Sequence, residues 1–239
     1  MSREAYGVLI GVIVLIAVFL PTKFFLIALV FLTFLISREL TSVLNLRGFQ
    51  YLSPFLFLSG VVSPTLTLTF SSLVSLYYGY RSWSLENFFK AFFLSLYPSL
   101  FLVYLFFVKE VGTKFLLVYV ISFWINDVFA YYVGKKYGKT PLFPKISPKK
   151  TLEGFLGGYL PAVVFMSLAL PFDRLYSFFV ALLTVFMGVV GDYFKSFIKR
   201  QLGIKDFSKV LGEHGGFTDR FDAVVFAAPL YYFLIQGAR

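Results

Sequence analysis

The 239-residue chain has no cysteine and a single histidine, His214. The missing cysteines exclude disulfide bonds, a thiolate nucleophile and a cysteine-based metal site, and one histidine excludes a histidine-rich metal cluster. Charged residues are also scarce, at 14% of the chain against about 25% in soluble domains. Because 59% of the residues are hydrophobic, so few charges cannot cover a globule. A cytosolic domain, a disordered protein and a secreted disulfide scaffold are therefore excluded.

Apolar runs fill most of the chain and are long enough to cross a hydrocarbon core of roughly 30 Å, which takes about 20 helical residues. Residues 51–80 carry no charge, and Pro54, Gly60 and Pro64 interrupt them. These breaks predict two short helices with a turn near residues 60–64. We therefore expect an all-α, polytopic integral membrane protein with about nine transmembrane helices. The predicted spans are 5–20, 24–36, two within 51–80, 85–108, 114–133, 155–170, 175–194 and 223–235.

The net charge of +10 is concentrated in a few loops. If the loop at 134–152 faces the cytoplasm, about 17 of the 22 lysines and arginines lie on that side. This bias predicts a cytoplasmic N-terminus, a periplasmic C-terminus and a multi-pass protein of the cell inner (cytoplasmic) membrane. The first apolar run resembles a retained signal anchor. We expect residues 1–109 to form N-terminal transmembrane helices and residues 110–239 a catalytic transmembrane region with cytoplasmic loops at 134–152 and 195–221.

Two aspartates lie within or at the end of predicted spans, where charge is costly. Asp127 follows Asn126 inside the span 114–133 and must face the protein interior. It either completes a hydrogen bond between helices or binds an ion or substrate. Asp192 follows Gly191 at the cytoplasmic end of the span 175–194, where it is either solvated or part of a site.

The densest polar segment is 212–222, with the sequence Gly-Glu-His-Gly-Gly-Phe-Thr-Asp-Arg-Phe-Asp. Gly215 and Gly216 permit positive φ and close approach of the backbone to a ligand. The next helix is predicted to begin near Thr218, and the free N–H groups of a helix N-terminus bind anions. Thr218 is also suited to be a plain N-cap, which does not exclude the anion role.

Acidic side chains recur at helical spacing where this segment enters the last span. Asp219 and Asp222 are three residues apart, so both carboxylates point to one side of the helix. Two hard oxygen ligands suit Mg²⁺, which fills its remaining positions with water and phosphate. Arg220 between them offers a bidentate fork to phosphate. Asp219 alone would also be explained as a favourable charge at a helix N-terminus.

Cations and hydroxyl groups collect in both cytoplasmic loops. The first loop contains Ser-Pro-Lys-Lys-Thr at 147–151, followed by Glu153-Gly154 at the predicted membrane edge. The second contains Ser196, Lys199, Arg200 and Lys205. Basic residues there either contact anionic lipid or, together with hydroxyls and flexible backbone, bind a polyphosphate. Carboxylates for Mg²⁺, cations for phosphate and glycine turns together indicate phosphoryl or nucleotidyl transfer to a lipid, and nothing indicates nucleic acid.

Two blocks within residues 126–222 resemble the conserved motifs of the phosphatidate cytidylyltransferases, or CDP-diacylglycerol synthases, in order and spacing. The first block reads Asp127-x-x-Ala130-Tyr131…Gly134-Lys135…Ser147-Pro148-Lys149-Lys150-Thr151-x-Glu153-Gly154…Gly157-Gly158. The second reads Ser196-x-x-Lys199-Arg200-x4-Lys205-Asp206-x7-His214-Gly215-Gly216-x-x-Asp219-Arg220-x-Asp222. Residues before about 110 match only in general character.

The resemblance implies transfer of the cytidylyl group from CTP to phosphatidate, giving CDP-diacylglycerol and pyrophosphate, by a homodimer embedded in membrane lipids with its active site at the cytoplasmic face. It implies Mg²⁺ as cofactor, with Mn²⁺ as an alternative and room for a second ion. The implied catalytic residues are Asp219, Asp222, Lys199, Arg200, His214 and Arg220. The implied substrate-binding residues are Ser147, Lys149, Lys150, Thr151, Ser196, Lys205, Gly215 and Gly216. The implied metal ligands are Asp219, Asp222, Asp127 and Asp192.

Two alternatives remain open at this point. A prenyl or ether lipid acceptor, as in a CDP-archaeol synthase, would use the same chemistry, although about nine spans fit the bacterial diacylglycerol enzyme better. A transporter with a cation site at Asp127 would place its acids at the bilayer midplane and repeat its two halves. Here most acids are predicted to lie at one membrane face, and the two halves do not resemble each other.

Overall fold

A computed structural model of the chain describes residues 3–212 and 215–238. Ten α-helices dominate these residues, together with a 3₁₀ turn at Phe49–Tyr51, a π-helical stretch at Ser95–Leu100 and one two-stranded hairpin. The all-α expectation is therefore confirmed apart from that hairpin. The helices are α1 Arg3–Phe19, α2 Thr22–Leu44, α3 Ser53–Val62, α4 Pro64–Ser82, α5 Leu85–Leu94, α6 Phe101–Val111, α7 Thr113–Tyr137, α8 Leu152–Ala169, α9 Arg174–Gln201 and α10 Thr218–Gly237.

The uncharged stretch 51–80 folds as two helices, α3 and α4, as its prolines and glycine predicted. Ser63 between them is extended, with φ −161° and ψ 127°, a conformation that the residue before a proline favours. Pro64 then occupies the first turn of α4, where a missing N–H costs no helical hydrogen bond. Pro98 has a different effect, because it lies inside a helical stretch and coincides with the π-helical segment that joins α5 to α6.

Three helices extend well beyond the apolar runs that predicted them. Helix α2 continues past residue 36 to Leu44, α7 past 133 to Tyr137, and α9 past 194 to Gln201. Hydropathy reports where a helix leaves the hydrocarbon and not where its hydrogen bonding ends, so polar final turns were missed. Lys199 and Arg200 in the last turn of α9 favour this extension, since cations stabilise a helix C-terminus.

Within the described part of the chain, five helical segments are long and apolar enough to cross a membrane, judged by length and composition. These segments are Thr22–Leu44, the continuous stretch Leu85–Val111, Thr113–Tyr137, Leu152–Ala169 and Arg174–Gln201. Shorter apolar helices lie at Leu9–Phe19 and Phe49–Val62. The expectation of a polytopic membrane protein agrees with this pattern, while the total of about nine spans stays a prediction.

The chain forms two compact units, one of Met1–Glu110 with Asp206–Phe221 and one of Val111–Lys205 with Asp222–Arg239. The core of the first unit includes Phe49, Phe57 and Leu102, which are fully buried. In the second unit the rings of Tyr119 and Tyr231 stack at 4.7 Å. The Tyr119 hydroxyl donates to the carbonyl of Val224 at 2.6 Å, so α7 and α10 are joined by both packing and hydrogen bonding.

Helices α7 and α8 of the second unit pack closely through small residues on α8. A Cβ placed on Gly157 would lie 2.5 Å from a methyl carbon of Val133, and one on Gly158 would lie 2.7 Å from the Cβ of Ala130. Glycines that let helix backbones approach in this way are typical of membrane helix pairs. This packing fixes the part of α7 that carries Asp127.

The hairpin occupies the segment where a loop was expected. Strands β1 (Pro141–Phe143) and β2 (Ser147–Thr151) pair antiparallel, with Pro141 opposite Thr151 and Phe143 opposite Ser147. Glu153 secures the chain before the hairpin by accepting hydrogen bonds from the backbone N–H groups of Lys139 and Thr140 at 3.0 and 3.2 Å. Strands of three and five residues are too short to show a period in the sequence, which explains why they were not predicted.

Candidate active site

A buried lysine connects two of the predicted site aspartates in the second unit. The Lys195 ammonium lies 3.1 Å from Oδ1 of Asp192 and 2.7 Å from Oδ2 of Asp222. The side chains of Lys195 and Asp222 are only 10% and 7% exposed. Asp192 and Lys195 share a face of α9 at i, i+3 spacing, whereas Asp222 is contributed by α10. The arrangement places opposite charges together where neither has much access to water.

Gly191 permits the close contact between α9 and α10 that this arrangement requires. A Cβ at position 191 would lie 2.5 Å from the Cβ of Phe226 and 3.1 Å from the carbonyl oxygen of Asp222. Any larger residue would push Asp222 and Phe226 of α10 away from this part of α9. In the Gly191-Asp192 pair, the glycine lets α9 and α10 approach closely and the next residue supplies a carboxylate that pairs with Lys195.

The hairpin docks on the end of α9 through Lys150 of β2. The Lys150 ammonium forms an ion pair with Oδ2 of Asp192 and lies 4.5 Å from the ring centroid of Tyr193. Phe143 of β1 packs edge-on against the same tyrosine ring, and Nε of Arg200 donates to the carbonyl of Ile146 at 3.1 Å. Lys150 and Asp192 keep about a third of their side-chain surface exposed, 31% and 35%. Their ion pair is accessible to a ligand, unlike that between Lys195 and Asp222.

Asp127 presents an exposed carboxylate on the apolar helix α7. Its Oδ1 accepts a hydrogen bond from Nδ2 of Asn126 at 3.3 Å. No lysine or arginine of the described residues lies within ion-pair distance of it. Such a group is costly in a membrane helix, and open carboxylates of this kind mark ion and substrate sites.

In the first unit, Asp219 folds the glycine-rich segment onto the start of α10. Its Oδ2 accepts hydrogen bonds from the backbone N–H groups of Phe207 and Gly216 at 3.1 and 3.0 Å. Gly215 has φ +77°, and a Cβ there would lie 2.7 Å from the same Oδ2. The positive φ expected for this glycine is confirmed, and in this structure the group that its backbone approaches is the Asp219 carboxylate.

Glu39 of α2 reaches the same segment from the N-terminal part of the chain. Its carboxylate is buried and accepts hydrogen bonds from the N–H groups of Phe217 and Thr218, both at 2.8 Å. The hydroxyls of Ser208 and Thr218 also donate to it, at 2.7 and 2.8 Å. Helix α10 begins at Thr218, as predicted, and an acidic side chain lies at its N-terminus.

Comparison with known proteins identifies the family. Residues 1–237 match the model of the Cytidylyltransferase family. This chain belongs to the cytidylyltransferase family. It is 56% identical over 235 residues to a phosphatidate cytidylyltransferase of Aquifex aeolicus, covering 98% of this chain and 91% of that protein. A Thermotoga maritima phosphatidate cytidylyltransferase is 32% identical over 192 residues, covering 76% of this chain and 67% of that protein.

A third relative, a phosphatidate cytidylyltransferase of Bacillus subtilis, is 37% identical over 131 residues, which cover 53% of this chain and 49% of that protein. The resemblance seen in the sequence motifs is thus confirmed at the level of the family. The chain is accordingly an enzyme, a nucleotidyltransferase with the apolar helices of a membrane protein.

The carboxylates of this cytidylyltransferase fit a divalent metal ion by their chemistry. Mg²⁺ takes one or two carboxylates and completes its shell with water and phosphate oxygens, so a cage made entirely of protein ligands is not required. No group of three or more acidic or histidine side chains in the described ranges is arranged as such a cage. Among the four predicted metal ligands, the exposed Asp127 and the partly exposed Asp192 are the ones that a cation can reach. Asp222 is buried against Lys195, and Asp219 already accepts two backbone N–H groups.

The remaining predicted site residues are not gathered around one group, and each has its own contacts or position. Thr151 caps α8 by accepting from the N–H of Gly154 at 3.2 Å, and the Ser196 hydroxyl donates to the carbonyl of Asp192 at 2.8 Å. Gly216 borders Glu39. Lys149, Lys205 and Arg220 are exposed, Ser147 lies on β2, and Lys199 is in the last turn of α9. His214 lies outside the described residues. The roles of all these residues in catalysis stay predictions.

Glu39 and Lys195 were missed as site residues by the sequence reasoning. Lys195 was detectable, because it lies three residues after Asp192 on the same helix face. Glu39 carried only the general signal of an acid at the end of an apolar run. Its contacts are with residues 169–179 positions later in the chain, so no local pattern reveals them.

Proposed function

We propose that this chain transfers the cytidylyl group of CTP to phosphatidate, giving CDP-diacylglycerol and pyrophosphate. The observation that carries the proposal is the group of charges in the second unit, where Asp192 and Asp222 form ion pairs with Lys150 and Lys195. Acids for a hard cation beside lysines for phosphate are what a nucleotidyl transfer requires. The similarity to phosphatidate cytidylyltransferases over nearly the whole chain supports the choice of nucleotide and lipid.

The reaction joins a phosphate oxygen of phosphatidate to the α-phosphorus of CTP. The new P–O bond forms as the bond between the α-phosphorus and the bridging oxygen to the β-phosphorus breaks, and that oxygen leaves with pyrophosphate. No general base is needed, because a phosphate monoester with a second pKa near 6 is mostly dianionic at pH 7. The protein's task is to bind, orient and neutralise three phosphates and the lipid phosphate.

Lys150 is the phosphate-binding group that the structure favours most. It is partly exposed, and its present partner is an aspartate that keeps a second cation, Lys195, when Lys150 turns away. Lys150 is thus able to exchange Asp192 for a phosphate without leaving that carboxylate unpaired. Lys149, Lys199, Arg200 and Arg220 are proposed as further phosphate contacts, and Ser147, Thr151, Ser196, Lys205, Gly215 and Gly216 as groups that shape the CTP site.

A divalent ion, for which we propose Mg²⁺, would be held by aspartates chosen from Asp127, Asp192, Asp219 and Asp222. When bound, it supplies positive charge to the triphosphate and stabilises the departing pyrophosphate. Lys195 lies between Asp192 and Asp222 and forms an ion pair with each, which offsets the cost of burying the Asp222 carboxylate. The protein thereby holds a set of carboxylates together that would otherwise repel one another.

The proposed setting is the inner membrane, with about nine spans, a homodimeric assembly and the site at the cytoplasmic face. The lysine-rich hairpin and the basic end of α9 support that face, because cytoplasmic loops carry an excess of lysine and arginine. CTP is a cytosolic nucleotide, so its phosphate contacts must be reachable from that side.

An acceptor comparison tests the substrate assignment. Purified protein in detergent is supplied with CTP and Mg²⁺ and one of three lipids: phosphatidate, its ether-linked prenyl counterpart, or diacylglycerol, which lacks the phosphate. We expect a cytidine diphosphate lipid from phosphatidate and none from diacylglycerol. Faster turnover of the ether-linked lipid than of phosphatidate would assign the chain to archaeal-type lipid synthesis instead.

A further inference from the structure

A single carboxylate from α2 holds the glycine-rich segment of the first unit in place. Glu39 is 6% exposed and accepts four hydrogen bonds. Oε1 accepts from the Ser208 hydroxyl and the Phe217 N–H, and Oε2 accepts from the N–H and hydroxyl of Thr218. All four donors belong to residues 208–218. The Glu39 carboxylate of α2 therefore holds backbone and side-chain groups that lie far along the chain from it.

The charge of Glu39 is stabilised by donors and not by a salt bridge. No lysine or arginine in the described ranges lies within ion-pair distance of it. Two of its donors are backbone N–H groups at the start of α10, which have no partner within their own helix. The partial positive charge of a helix N-terminus adds to this stabilisation. Hydrogen bonds to an ionised acceptor are about twice as strong as neutral ones, which makes Glu39 a firm attachment.

Gly216 has no side chain, and the Glu39 carboxylate occupies the space that a Cβ would fill. A Cβ at position 216 would lie 2.5 Å from both oxygens of Glu39, closer than any side-chain carbon tolerates. The second carboxylate of the segment, Asp219, holds the N–H of Gly216 itself at 3.0 Å. Two carboxylates, the local Asp219 and Glu39 of the N-terminal helices, thus accept the hydrogen bonds that Phe207, Ser208 and residues 216–218 donate.

We infer that Glu39 is a positioning residue for cytidylyl transfer, which fixes the backbone of residues 216–218 and with it the start of α10. This inference rests on the proposed function, because α10 carries Asp219, Arg220 and Asp222. It gives the N-terminal helices a part in catalysis: α2 supplies the group that sets where the last helix begins. Glu39 itself contacts neither substrate in this role.

Replacing Glu39 with glutamine changes one acceptor oxygen into a donor amide. In either orientation of that amide, the N–H of Phe217 or of Thr218 faces a donor in place of an acceptor. A buried N–H without an acceptor is unfavourable, so the segment is expected to loosen while the apolar helices stay packed. Glu86→Gln is a matched control, because Glu86 is an exposed glutamate that pairs with Lys90 on its own helix.

The test compares kinetics with local proteolysis. For Glu39→Gln we expect kcat to fall at least tenfold with less than a threefold change in KM for CTP, since the bound substrate loses alignment and not its contacts. Trypsin should cut faster after the exposed Lys209, while the thermal unfolding midpoint stays close to that of Glu86→Gln. A kcat within twofold of that control, or unchanged cleavage after Lys209, would overturn the inference.

A second variant approaches the same contact from the other side. Gly216→Ala should displace the Glu39 carboxylate and produce the same loss of kcat and the same faster cleavage. If the two residues act through one contact, the double variant loses less than the product of the two single losses. If the double variant loses the full product of the two single losses in kcat, the two residues act independently and the inference is contradicted. If Glu39→Gln does not fold, the inference is contradicted when trypsin cuts Gly216→Ala after Lys209 no faster than it cuts the wild type. Wild-type protein that is inactive with phosphatidate refutes the proposed function, whereas the cleavage result still decides the role of Glu39.

Discussion

Lys195 is a buried lysine whose ammonium bridges two acids, Asp192 and Asp222. The cost of burying each charge is offset only by the presence of the others, so the group behaves as a unit. The same residue offsets the repulsion between the two carboxylates in the site where we propose that a metal ion and a nucleotide bind. The ion pairs of Lys195 are therefore expected to stabilise the fold, whatever part the two acids take in the proposed reaction.

Replacing Lys195 with methionine should destabilise the protein by about 3–5 kcal/mol, because it leaves a buried carboxylate without its cation. Thermal or denaturant unfolding in detergent measures the change. Lys90→Met is the control, since its partner Glu86 is 74% exposed and surface pairs contribute about 0–1 kcal/mol. Equal stability of the two variants would show that the Lys195 pairs are not structural.

Asp219→Asn and Asp222→Asn should each reduce turnover at least 10²-fold, because each removes a charge proposed to act on the metal and the phosphates. Asp173→Asn is the matched control. Asp173 caps the other end of α9 by accepting from the N–H groups of Leu175 and Tyr176, and asparagine caps helices equally well. More than a tenth of wild-type activity in either site variant would remove that residue from the proposed machinery.

The hairpin carries lysines that we propose to bind phosphate, and it is anchored on α9. Its two strands are held on α9 by Phe143, Lys150 and the Arg200 contact to Ile146. This docking sets the position of Lys150 beside Asp192. In a loop without these contacts to α9, the lysine side chains would have no fixed position.

Lys149→Ala and Lys150→Ala are expected to lower kcat/KM for CTP at least tenfold in one or both variants, about 1.4 kcal/mol. Kinetics with CTP varied at saturating phosphatidate give the value. Lys145→Ala is the control, because Lys145 lies exposed in the turn of the same hairpin. Unchanged CTP kinetics in both variants would leave these lysines as topology signals and assign the phosphates to Lys199, Arg200 and Arg220.

Elements with a strong local signal were predicted from the sequence, and contacts between distant residues were not. The break at Pro64 and the start of α10 at Thr218 follow from backbone rules that act within a few residues. The polar last turns of α2, α7 and α9 were missed because hydropathy stops at the membrane surface. Glu39 and the hairpin depend on tertiary contacts, so neither shows a pattern of its own.

The whole chain carries its positive charge unevenly, and this predicts its orientation in the membrane. Reporter fusions at Arg3 and Arg239 should report the cytoplasm and the periplasm respectively. The helices α3 and α4 are the decisive pair, because counting them as one crossing reverses everything before them. Both reporters on one side of the membrane would show that the number of spans is even and that the total of about nine is wrong.

The position of the phosphorus that reaches the lipid tests the central claim most directly. Purified protein is given phosphatidate, Mg²⁺ and CTP labelled with ³²P at either the α or the γ phosphate. Cytidylyl transfer predicts that the α label appears in the lipid product, one per lipid, and that the γ label appears only in pyrophosphate. Transfer of the γ label to the lipid would mean phosphoryl transfer. Label in neither lipid nor pyrophosphate would mean that the protein does not catalyse the reaction. Either result would contradict the account.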